Sequence, residues 1–169
     1  MKKILSLVVI SLCIIVILTA CWGSNPSTDE PTPSQPQEVP VSTPIRVGDA
    51  VWTVTGVEKS PVFGGNSEPP NGIYVAVHIA LQNASKETQT APDLTVIDSQ
   101  GNKTTSVTGK YVDAPESWGP QLLMEGMGGG AVINGFYLFD ILPDATGLKL
   151  LVKGWSWTEK QEGYINLGI

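Results

Sequence analysis

The chain of 169 residues carries 16 Asp and Glu against 10 Lys and Arg, a formal charge of −6, with one His and two Cys. An acidic balance argues against nucleic acid as a partner, because that affinity comes chiefly from basic side chains neutralising phosphates. So few His and Cys leave little for a zinc site or a thiol nucleophile, and H-E-x-x-H, G-x-S-x-G and phosphate-loop signatures are all missing from the sequence.

Lys2 and Lys3 open the chain, and Ile4 to Ala20 follows as an apolar run broken only by Ser6, Ser11, Cys13 and Thr19. This is the layout of a charged n-region and an apolar h-region. The run is shorter than the about 20 residues a spanning helix needs. Its end, Leu18-Thr19-Ala20-Cys21, resembles the lipobox of bacterial lipoproteins, in which the cysteine thiol is acylated and the signal is cut just before it. A retained anchor would more naturally be followed by basic residues, and none occurs between Cys21 and Pro44. The expectation is a signal peptide over residues 1–20, a lipidated Cys21, and a protein on the extracytoplasmic face of the cell membrane, held there by its N-terminal lipid. Loss of Lys2 and Lys3 would move the formal charge from −6 to −8. Cys13 would leave with the signal and Cys21 would carry lipid, so the mature domain has neither thiol nor disulfide.

Residues 21–44 include six prolines, no basic residue and few apolar ones. Such a stretch cannot bury enough surface to offset its ordering entropy and reads as a disordered, partly extended linker. Residues 45–169 remain as one domain, large enough to bury about two thirds of its unfolded surface.

Within that domain the apolar period becomes two. Ala50 to Ser60 alternates around Trp52 and Val54. Gly72 to Ser85 sets Ile73, Val75, Val77, Ile79 and Leu81 on a core face against Tyr74, Ala76, His78, Ala80 and Gln82 on a mixed one. Leu94 to Asp98 and Lys103 to Val107 flank Gly101-Asn102 and read as a hairpin. Gly109 to Gly130 has no clean period and reads as an irregular connection with a short helix near Gln121 to Glu125. Ala131 to Ile141, Leu148 to Val152 and Tyr164 to Leu167 complete about seven short strands. The expected fold is all-β, a two-sheet antiparallel immunoglobulin-like sandwich.

The stretches "VWTVTGVEKS", "YVAVHIALQNAS", "LTVIDSQGNK" and "GFYLFDILPDATGLKLLV", in this order, resemble the telokin-like bacterial domain of unknown function found on lipoproteins. The resemblance covers Ile45 to Ile169. It implies an immunoglobulin-like sandwich and brings no catalytic residues.

No constellation for catalysis emerges. His78 sits mid-strand with no carboxylate or serine placed by sequence to orient it, and reads as a satisfied sheet histidine. Asp98, Gln100 and Asn102 alternate oxygens as calcium loops do, but Lys103 stands where more oxygen is needed, so a plain turn is favoured. The tryptophans carry the remaining signal. Trp155 and Trp157, two apart, read as core or as a stacking platform, and Trp118, in a Pro and Gly setting, reads as the most exposed. Trp118, Trp155 and Trp157 are therefore the candidate ligand contacts, with any ligand expected to be met by loops at one end of the sandwich and Trp118 foremost among the contacts, and with no metal, no cofactor and no enzymatic activity. The functional expectation is a non-catalytic binding or interaction module at the cell envelope, its partner an envelope protein, peptide or glycan. The alternative is a structural or accessory subunit of an envelope complex.

Overall fold

The computed structural model describes residues 36–60, 72–107, 118–122, 126–155 and 161–169. Among them eleven strands follow in chain order: β1 (Gln37–Pro40), β2 (Ile45–Val47), β3 (Ala50–Ser60), β4 (Ile73–Asn83), β5 (Gln89–Thr90), β6 (Thr95–Ile97), β7 (Lys103–Thr105), β8 (Gly126–Met127), β9 (Val132–Ile141), β10 (Lys149–Lys153) and β11 (Glu162–Asn166). One sheet has the order β1-β11-β10-β6-β7 and the other β2-β3-β4-β9, with β5 and β8 forming a short separate ladder. The fold is an all-β sandwich with immunoglobulin-like two-sheet layering.

The alternation read from the sequence becomes the core. Trp52, Val54, Val75, Val77, Ile79, Leu81, Tyr137 and Phe139 of the four-stranded sheet pack with Val39, Val96, Leu150, Val152 and Ile165 of the five-stranded one. Trp52 also ties the sheets through a hydrogen bond, its Nε1 donating to the Lys153 carbonyl at 2.9 Å. The sheets approach closely at Gly163, where a Cβ would stand 2.5 Å from Ile45 Cδ1. Only glycine fits there without displacing a buried neighbour.

The folded unit begins earlier than the sequence reading placed it. Residues 36–44, assigned to the linker, are part of the sandwich, and the compact unit runs from Gln35 to Ile169. β1 pairs parallel with β11, Val39 opposite Ile165, whereas the other ladders between these strands run antiparallel. Proline content argued against a strand here, but prolines are tolerated on edge strands. Val39 inserts into the core, and Glu38 accepts from Lys149 Nζ at 2.7 Å and from Asn166 Nδ2 at 3.3 Å.

A second difference falls in the irregular connection. Gln121 and Leu122, expected at the start of a short helix, are extended: Gln121 bridges Phe136 in parallel, and the Leu122 N–H donates to the Phe136 carbonyl at 2.9 Å. Residues 123–125 lie outside the described residues. The edge of β9 supplies backbone partners that a one-turn helix would forgo.

The polar hub of the domain is Asn83, fully buried at the end of β4. Its Nδ2 donates to the carbonyls of Glu87, Met127 and Gly128 at 2.8, 3.1 and 3.2 Å, and its Oδ1 accepts from Ser85 N and Oγ at 3.0 and 2.7 Å. One side chain thus joins the loop after β4 to the segment leading into β9.

Candidate functional site

The site is built on the outer face of the four-stranded sheet. β4 and β9 turn Tyr74, Ala76, Phe136 and Leu138 away from the main core into a second apolar cluster, and Trp118 packs against it. The Trp118 ring makes T-shaped contacts with His78 and Phe136, with centroids 5.1 and 5.3 Å away and interplanar angles of 86° and 72°.

A β-bulge decides which charged group joins them. Val54 pairs with Ile79 and Gly56 with His78, so Thr55 is an extra residue on β3. Strict alternation from the buried Val54 would send residue 58 inward. The inserted residue reverses the alternation, so Val57 turns to the core and Glu58 shares the His78 side of the sheet. There Glu58 Oε1 lies 3.2 Å from His78 Nε2, without the alignment of a hydrogen bond.

The strip carrying Trp118 is seated by a glycine. A Cβ on Gly135 would collide with the Pro120 carbonyl oxygen and come within 2.8 Å of Leu122 side-chain atoms. Leu122 fills this space and joins the main core. The Phe136 N–H donates to the Pro120 carbonyl at 3.1 Å, and Gln121 Nε2 donates to the Val107 carbonyl at 2.7 Å. Between this strip and β3 lies an open depression of about 430 Å³ lined by Thr55, Gly56, Glu58, His78, Trp118 and Asn134, among others.

This geometry redistributes the residues named from sequence. Trp118 is half-buried on a sheet face, not on loops at the end of the sandwich, because β9 gives its strip a strand edge to follow. Trp155 packs against the main core, its ring 6.3 Å from Trp52, so the fold separates it from Trp118. Trp157 and Cys21 lie outside the described residues. His78 does have a carboxylate beside it, because the bulge brings Glu58 across. The signal was present as a glycine inside a strand pattern, Gly56, which often marks a bulge.

Two other polar groups have structural work. The Asn102 side-chain amide, 2.7 Å from Asp98 Oδ2, holds the Asp98 carboxyl below the ordinary aspartate range, helped by the N–H groups of Asn102 and Gln100 at 2.8 and 2.9 Å from Oδ1. Both carboxylate oxygens are thereby engaged in closing the β6–β7 hairpin. Tyr137 Oη donates to the Pro92 carbonyl at 2.9 Å, and burial, with Asp93 adding, pushes its ionisation well above the ordinary tyrosine range. Among the described residues no cluster of three or more His, Cys, Asp or Glu is placed to hold a metal ion.

No family model matches the chain, and no curated protein matches it. Among solved structures it is similar to the yjhA protein from Bacillus subtilis at 12% identity and a TM-score of 0.56, over 76% of this chain and 98% of that one. An uncharacterized beta-sandwich protein from Clostridium difficile 630 aligns at 11% identity and a TM-score of 0.49, over 79% of this chain and 95% of that one. At such identity the likeness to the first speaks to fold alone.

Proposed function

We propose that this protein is a lipid-anchored, extracytoplasmic binding module of the telokin-like kind, non-catalytic, whose contact surface is the depression between the β3 bulge and the Trp118 strip. The lipid anchor rests on the Leu18-Thr19-Ala20-Cys21 ending of the apolar run. The binding reading is carried by one observation: an indole, an imidazole and a carboxylate converge on an open depression that the core does not need. Convergent polar groups beside an aromatic wall in a concave site are the usual make-up of a ligand contact. The partner is an envelope protein, peptide or glycan. The test is photo-crosslinking in intact cells, with benzoylphenylalanine in place of the exposed Asn134 or, as control, of the exposed Thr105 on β7. Adducts from position 134 and none from position 105 are expected; equal yields, or none from 134, would overturn the reading.

One observation favours the alternative of a structural or accessory subunit in an envelope complex. Among the described residues the exposed large apolar side chains are Val132 and Leu142, which makes no broad apolar docking patch. In that case the crosslinks would map to the sandwich surface at large and not to the depression.

A further inference from the structure

We infer that the ligand group taken by this depression is a positively charged ammonium, an inference that rests on the depression being the contact site. The Glu58 side chain is 53% exposed, and among the described residues it accepts no well-formed hydrogen bond. The residues lining the depression include no Lys or Arg, so among the described residues this carboxylate has no permanent cation beside it. Beside it stand the Trp118 and His78 rings, nearly perpendicular to each other. A carboxylate next to an indole is the pairing that recognises ammonium groups, through Coulomb attraction on one side and the ring quadrupole on the other. Thr55 and Asn134 also line the depression, and each carries a side-chain oxygen able to accept. An anionic ligand would meet Glu58 uncompensated.

The charge of the whole chain works in the same direction. With a formal charge of −6, the protein draws cations toward its surface and repels anions. The bulge is what concentrates this general preference at one place, since it alone puts Glu58 on the ring side of the sheet.

The test is an NMR titration of the full chain in non-ionic polyoxyethylene micelles at constant pH and ionic strength. Three probes are compared: tetramethylammonium chloride, the uncharged neopentyl alcohol, whose tert-butyl group has a similar shape, and N-acetylglucosamine. Tetramethylammonium is expected to shift the Trp118 indole N–H and the amides of Gly56, Glu58 and Asn134, with neither neutral probe doing so. Glu58→Gln, an exposed and isosteric change, should weaken the response by about three- to tenfold, and Glu58→Asp should retain part of it. Equal shifts from neopentyl alcohol, or shifts from the sugar alone, would overturn the ammonium assignment and leave the site standing. Silence from all three probes would overturn the assignment and count against the site as well.

Discussion

Glu58 Oε1 lies 3.2 Å from His78 Nε2 although the two residues are twenty apart and on different strands, and the contact exists because β3 bulges at Thr55, between Val54 and Gly56. With Thr55 set outside the pairing, Val54 and Val57 both face the core and Glu58 stands beside the rings. Deleting Thr55 should leave Val54 and Val57 in plain alternation on the core face and Glu58 beside His78, at a cost of no more than about 1 kcal/mol. Urea denaturation of the variant measures this. A much larger fall in the midpoint would mean that Thr55 belongs to the register and is not an insertion in it.

Asn83 should be the costliest polar residue to lose. Its amide serves three carbonyls and its oxygen two Ser85 donors in a fully buried setting. Asn83→Ala leaves these groups without partners, and the expected loss is about 2–3 kcal/mol. Thermal unfolding reads it, and a change below about 0.5 kcal/mol, the scale of an ordinary surface substitution, would deny the hub its role.

β1 should behave as part of the domain. A chain starting at Pro36 should unfold at a higher urea concentration than one starting at Ile45, which lacks Val39 and the pairing with β11. The hydrogen bond from Lys149, with the Lys149 charge and Asn166 adding, holds the Glu38 carboxyl below the ordinary glutamate range. A depressed folded-state pKa contributes stability that is present above the unfolded value and lost as pH falls through the folded one. Wild type should therefore exceed Glu38→Gln in stability at neutral pH, and the difference should vanish on acidification below the glutamate range. A difference that stays constant down to acid pH would place the effect elsewhere.

The anchor is testable apart from the fold. Cys21→Ala should abolish incorporation of an alkyne-tagged fatty acid and leave unprocessed precursor, because stable attachment takes more than one acyl chain and the cysteine is where they would join. Absence of label from the wild-type protein would remove the lipoprotein reading.

The strands were legible wherever the pattern is purely local. β4 and β9 alternate cleanly, and Gly101-Asn102 marks the β6–β7 hairpin, so these elements and the sandwich they imply could be read in the sequence. β1 was hidden because its proline content disfavours ordering locally, and its gain comes from β11, over a hundred residues away. The site was hidden for a related reason. Alternation says which side of a strand a residue faces only while the register is unbroken, and the Thr55 bulge breaks it between the core residue Val54 and Glu58. Trp118 was recognised as unusual, but its place depends on the missing side chain of Gly135 and on the free edge of β9, neither visible in the residues around it.

All of the functional reading stands on Glu58, His78 and Trp118 meeting on one face of the four-stranded sheet. The most direct measurement is the nuclear Overhauser pattern of the Glu58 side-chain protons in solution. Cross-peaks to the His78 ring are expected, together with cross-peaks between the His78 and Trp118 rings. Cross-peaks from Glu58 to the core-facing Val75 and Val77 instead, with none to His78, would contradict the bulge, the depression and the ligand assignment together.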